Sequence, residues 1–258
     1  MTLVAGPGGA EVVVAPGPDG RPRYRVLRQG PLLALRPTPA GLHLVSPAAT
    51  PLGGDEVTLR LAVEAGARLV VRSAAASVAR RGPRGAPSRL EVRATVEEEA
   101  WLCWLVEPTV VADGATHDAV SFLELAEGAG LWWREVTILG RSGESGGRGR
   151  SRLAVDRAGW PVVRHELRFA ADDPALGGPA GLGGARVVGT ALATVLARSP
   201  VPGPLTQASG SRVVVLPTVD PGLVLVQGLA EGWRQLEEAW GPALAWVASV
   251  HRCGEVPW

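Results

Sequence analysis

The chain has 258 residues, 46% of them hydrophobic, with 34 Gly, 22 Pro and nine Trp. That is enough apolar matter for a core without a disulfide or metal staple, and too much for disorder. The 26 basic residues nearly balance the 25 acidic ones, which argues against a polybasic nucleic-acid binder, and all 26 are Arg. Without Lys the chain cannot provide a P-loop lysine, a Schiff base or a pyridoxal phosphate attachment, so those enzyme classes are excluded.

Pro and Gly crowd residues 6–41, which read as short edge strands and turns around 23–27 and 32–35. From residue 55 to about 169 the chain repeats a strand, a tight turn and a second strand. The turns fall at 64–66, 97–99 and 127–128. Aligned on Ala67, Ala100 and Ala129, the steps are 33 and 29 residues, and a weaker fourth copy turns at Ala158-Gly159. A unit this small cannot bury its own apolar face, so stacked copies are expected: a mainly β chain with β-helix-like (solenoid) layers of hairpins. A sandwich meander with similar spacing is the alternative.

Further along, apolar residues at 188, 191, 192, 195 and 196 give the stripe of a helix over 185–198, with a loop at 200–204. A late strand pair over 212–227 turns at Asp220-Pro-Gly. A second helix is expected over 231–247, kinked or restarted at Gly241-Pro242. Trp233, Trp240 and Leu244 lie on one face of it and are candidates for a partner-binding surface. The whole chain, 1–258, reads as one domain with these two helices packed on the β body.

Adjacent Trp132 and Trp133 point to opposite faces of a strand, and Trp101 and Trp104, three apart, also diverge. Burial on both faces of a layered body accommodates most of them. Cys103 and Cys253 have no metal spacing and suit a reduced compartment. No export signal or membrane span is evident, so a cytoplasmic location is expected.

Catalytic signatures are missing. Gly181-Leu-Gly-Gly lacks the third Gly of a dinucleotide loop, and neither a Gly-x-Ser-x-Gly elbow nor a His-Glu-x-x-His occurs. The nearest metal-like groupings, Asp113–His117–Asp118 and His251-Arg-Cys253, read as a solvated turn and a tail. The Arg/Gly loop at 140–152 has no interleaved aromatic for base stacking.

Residues 139–144, Leu-Gly-Arg-Ser-Gly-Glu, follow the apolar Leu131-Trp-Trp-Arg-Glu-Val-Thr-Ile and resemble a Leu-Gly-Arg-x-x-x-Gly-Glu region of the urease accessory protein UreD (UreH) family. In the same order, Pro51-Leu-Gly-Gly-Asp55, Gly66-Ala-Arg-Leu-Val-Val-Arg-Ser and Leu102-Cys-Trp-Leu-Val-Glu-Pro108 are similar to further landmarks of that family. The likeness is best over about 25–170. Ser77-Val-Ala-Arg80 lacks the family's Lys and Tyr, Gln227 stands where an Arg is usual, and the ending survives only as Val256-Pro-Trp258.

The resemblance implies a non-catalytic scaffold that joins apo-urease to UreF and the GTPase UreG, with nickel in transit and no tightly bound cofactor. A route for nickel needs loosely binding carboxylate and imidazole ligands. Asp55, Glu135 and His165 are the candidates, with a salt bridge from Glu135 to Arg141 as the plainer alternative for that acid. The rival reading is a stand-alone ligand-binding β protein or enzyme unrelated to urease.

Overall fold

The structure is a computed structural model that describes residues 9–195, 205–206 and 210–250. The loop expected at 200–204, the His251-Arg-Cys253 tail and the Val256-Pro-Trp258 ending lie outside the described residues.

The chain begins with two antiparallel pairs, β1 (Ala10–Pro16) with β2 (Pro22–Arg28) and β3 (Ala34–Thr38) with β4 (Gly41–Val45). Four strand–turn–strand units follow. They are β5 (Glu56–Val63) with β6 (Arg68–Ser73), β8 (Ser88–Val96) with β9 (Trp101–Leu105), β11 (Thr116–Leu125) with β12 (Gly130–Leu139), and β13 (Arg148–Arg157) with β14 (Trp160–Ala170). Short β7 (Ser77–Ala79) and β10 (Thr109–Val111) lie between coils.

The repeat is real, but its first three copies are arches rather than hairpins. Their two arms enter different sheets, and each arm pairs in parallel with its counterpart in the next coil: β5 with β8, β8 with β11, β6 with β9, β9 with β12. Only the fourth unit closes on itself as an antiparallel pair. The result is a β-solenoid-like stack, mainly β, in which the apolar face of every coil is covered by the opposite sheet.

One sheet has seven strands in the order β14-β13-β11-β8-β5-β1-β2. The other has eleven and extends past the solenoid through antiparallel β15 (Val187–Thr194), β18 (Leu223–Ala230), β17 (Arg212–Pro217) and β16 (Leu205–Thr206). Between the sheets lies the main core, built from Leu59, Leu61, Val92, Leu102, Leu123 and Leu131 among others. The short α1 (Pro174–Gly177) sits in the connection to β15, and α2 (Trp233–Val250) covers the outer face of the larger sheet. Pro242 lies inside α2, which continues through it as one element.

The helix expected over 185–198 is a strand across its described part. Every residue of β15 is buried, because one face meets the inter-sheet space and the other meets α2. Nearly continuous apolarity satisfies a helical stripe by accident, so periodicity cannot separate the two states. The β-branched Val187, Val188, Thr190 and Thr194 favour the strand. Gly189 and its cross-strand partner Gly228 form the seat of Trp240: a Cβ on either would lie 2.2–2.3 Å from that indole. The late strand pair and the second helix form where the sequence places them.

The Trp pairs divide as strand geometry requires. Trp133, 0% exposed, enters the main core, and Trp132, 1% exposed, enters the core beneath α2. Trp104 stacks on Trp133 with ring centroids 4.6 Å apart and planes 8° from parallel. Trp101 packs on Gly130, where a side chain would collide with its ring.

Candidate functional site

The space between the sheets changes character along its length. Toward the arch turns it is sealed by Val63, Ala67, Val96, Ala100, Leu125 and Ala129. Toward the opposite end it turns polar, and that end holds the candidate site.

At its centre is Glu135 on β12. Alternation sends Trp133 and Glu135 to the same inner face, so the carboxylate sits beside the Trp104–Trp133 stack. Ser121 Oγ donates to Oε1 at 2.6 Å, Trp133 Nε1 donates to the same oxygen at 2.9 Å, and Ser151 Oγ donates to Oε2 at 3.0 Å. Glu135 is partly buried and lines a small cavity of about 40 Å³. Burial pushes the carboxyl above its ordinary pKa, outweighing the three hydrogen bonds that favour the charged form. No cation is paired with it among the described residues. The expected partner, Arg141, binds Glu144 instead.

The polar row continues across the larger sheet. Glu135 is directly opposite Thr190, which is opposite Gln227, so all three share the inner face. Gln227 Nε2 donates to Thr190 Oγ1 at 2.7 Å and lies 3.1 Å from His165 Nε2, which reaches in from β14 of the facing sheet. Burial lowers the His165 pKa. Glu135 and His165 thus lie in one polar layer: Thr190 is the cross-strand neighbour of Glu135, Gln227 links Thr190 to His165, and Ser151 bonds Glu135 from the facing sheet.

Asp55 stands apart from that layer. Its Oδ2 accepts from Thr50 Oγ at 2.5 Å and from the Leu52 amide at 2.7 Å, locking the turn whose Thr50 and Pro51 edge the larger cavity. In the same way residues 139–144 form a braced turn. Glu144 accepts from the Arg141 and Asp113 amides, and the Arg186 guanidinium donates to the Leu139 carbonyl. Its bond to Arg141 holds the Glu144 pKa at about 2.

His117 is the residue that sequence reasoning passed over. It is no solvated turn: it is 3% exposed on β11, with Nδ1 2.9 Å from Ser88 Oγ and Nε2 buried without a hydrogen-bond partner. Burial lowers its pKa to about 4, so the imidazole is neutral near pH 7. His117 lines both the 40 Å³ cavity and a larger one of about 340 Å³, and exposed Glu107 also borders both. The available signal was its alternation with Ala119, Ser121 and Leu123, which puts it on the inner face.

The candidate partner residues on α2 are occupied by the chain itself. Trp240 and Leu244 are buried against the sheet, and Trp233 is partly buried with the Arg134 guanidinium 5.8 Å from its ring centroid. Among the described residues there is no group of three or more His, Cys, Asp or Glu that could hold a metal ion, and no helix is long and apolar enough to cross a membrane.

The family model for the UreD urease accessory protein matches residues 8–252. The chain is 39% identical over 261 residues to a urease accessory protein UreD of Frankia alni, covering 86% of this chain and 87% of the relative. It is 37% identical over 258 residues to one from Streptomyces coelicolor, covering 95% and 99%. With a Parafrankia relative the identity is 42% over 212 residues, covering 74% and 70%. A β protein unrelated to urease is thereby set aside. The sequence resemblance, the stacked β coils and these matches agree: the chain belongs to the UreD family of urease accessory proteins.

Proposed function

We propose that this chain is a non-catalytic scaffold of urease maturation, acting in the cytoplasm between apo-urease and an assembly of UreF with the GTPase UreG, and that nickel crosses it between the two sheets. Lacking Lys, it has no P-loop lysine to offer, so nucleotide hydrolysis falls to the partner. Glu135 carries the reading: a carboxylate set between the sheets with no ion-pair partner among the described residues, yet hydrogen-bonded by Ser121, Ser151 and Trp133. A purely structural core gains nothing from such a group, which costs several kcal/mol when ionised and unpaired. A passing divalent cation supplies the missing charge for as long as it is present.

The donor set suits cargo better than a resident ion. Carboxylate oxygens and a neutral imidazole bind nickel without the grip of a thiolate cage. In this reading exposed Glu107 receives the ion, buried His117 passes it inward, and Glu135 with the Thr190–Gln227–His165 row carries it across. Asp55 contributes by holding the turn at the rim of the larger cavity.

The test is nickel content of urease reconstituted with all partners. Glu135→Gln and His117→Gln keep shape while removing charge or imidazole. Each is expected to enter the complex normally and to slow nickel loading by about tenfold or more. Wild-type loading by both variants, with complex formation intact, contradicts the route.

A further inference from the structure

The four strand–turn–strand units put their turns in a single file along one edge of the molecule. Backbone bonds tie each tip to the next: Gly66 N donates to Glu98 O at 3.0 Å, Ala126 N to Val96 O at 2.8 Å, and Ala158 N to Leu125 O at 2.8 Å. Strands in such a stack repeat about every 4.8 Å, so the tips form a continuous ridge. The ridge is acidic, with Glu97, Glu98, Glu99 and Glu127 exposed on adjacent rungs. Glu97 accepts the Ala65 amide at 2.9 Å, while none of the ion pairs among the described residues includes Glu98, Glu99 or Glu127.

At the last rung the ridge ends in apolar surface. Trp160 is 75% exposed and Val219 79% exposed, far beyond the other exposed large apolar residues, Leu27 and Leu216. Both sit on turns that are welded rather than loose. Arg157, cross-strand partner of Trp160, pairs with Asp220 at 2.8 Å and donates to Ala129 O at 3.3 Å, fastening the third and fourth turns of the ridge to each other and to the β17–β18 turn that carries Val219. That bridge is mostly buried, whereas the Trp160 indole beside it is left in water. A large aromatic on a pre-organised support is the arrangement of a binding anchor, because little side-chain or loop entropy remains to be lost.

We propose that Trp160 and Val219, with the carboxylates of Glu98, Glu99 and Glu127, form a docking surface for a protein whose contacting face is basic around an apolar socket. The charge argument chooses the partner: unpaired acids flank the anchor on one side, so an acidic or neutral face gains nothing there. Glu99 adds a further observation. It occupies the left-handed region at φ 56°, where the equivalent residues of the neighbouring turns are Gly66 and Gly128. A carboxylate is kept there at a backbone cost that glycine avoids.

The inference rests on the proposed role in urease maturation for the identity of the partner set. Binding of the full chain to UreF, to UreG and to apo-urease is measured one at a time, by surface-immobilised kinetics over a range of salt. One of them should bind with a salt-sensitive on-rate. Trp160→Ala should weaken that same partner about tenfold or more, mainly through the off-rate. The double variant Glu98→Arg/Glu127→Arg should cut its on-rate and abolish the salt dependence. Glu99→Gly should raise the unfolding midpoint while weakening binding, an outcome that a merely structural glutamate cannot give. If the wild-type chain binds a partner and all variants bind it within twofold of wild type, this surface is wrong and the maturation role stands. If the wild-type chain binds none of the three, both fall.

Discussion

The two ends of the inter-sheet space share one backbone and differ in side chains. Near the arch turns, Leu102, Leu131, Val63 and Val96 pack in the apolar core, and the buried Thr194 hydroxyl beside them is satisfied by the Leu131 backbone. Near the other end, on the same strands, His117, Ser121, Glu135 and Ser151 replace such residues, and cavities open beside them. The apolar end supplies stability that offsets the cost of burying polar and titratable groups at the other end. Function in a stack of this kind is written by which rungs forgo an apolar side chain.

The largest effect comes from breaking the sealed end. Leu131→Ala removes a fully buried side chain from close-packed surroundings and is expected to cost about 3–5 kcal/mol in denaturant unfolding. A matching truncation at the polar end, Val92→Ala, should cost about 1 kcal/mol, since a single valine carries less and a cavity already adjoins it. Equal losses at the two sites would erase the contrast.

Next in size is the pH response of His117. Its folded pKa, about 4, lies below the ordinary 6.5, so the unfolded chain binds the proton more tightly. The stabilisation is fully present above pH 6.5 and is lost as pH falls toward 4, amounting to about 3 kcal/mol at 1.36 kcal/mol per unit. His117→Gln should flatten stability across that window, as read from unfolding midpoints at successive pH values.

Glu135 has the opposite sign. Its folded pKa is raised, so its favourable contribution holds below the ordinary carboxylate pKa and is lost as pH rises through the folded value. Glu135→Gln should therefore be at least as stable as wild type at pH 8 and no more stable at pH 4. The smallest change belongs to partly buried Glu144, whose pKa is held low by Arg141. Glu144→Gln should lower the thermal midpoint slightly at pH 7, and that difference should vanish as pH drops from 4.5 toward 2.

The sequence made the repeat legible because Ala67, Ala100 and Ala129 recur with turn residues before them. It left the pairing open, since an arch and a hairpin use the same strand–turn–strand pattern and differ only in which neighbour is bonded. Residues 187–194 misled because burial on both faces erases the alternation that marks a strand. Glu135 was visible as an acid in an apolar strand beside Trp133. The rest of its layer was not: Ser121, Thr190 and Gln227 are ordinary polar residues until register aligns them. His117 looked like a turn residue because Asp113-Gly precedes it, although β11 begins at Thr116.

The central claim is that cargo passes between the sheets at Glu135, and an obstruction there tests it most directly. Ser151→Leu places an apolar branch against that carboxylate and removes one of its hydrogen-bond donors, at about 1–3 kcal/mol of overpacking. With folding and complex assembly verified, radiolabelled nickel reaching urease from the loaded GTPase would be counted. The account predicts assembled complexes that deliver little nickel; delivery at the wild-type rate through the obstructed layer would contradict it.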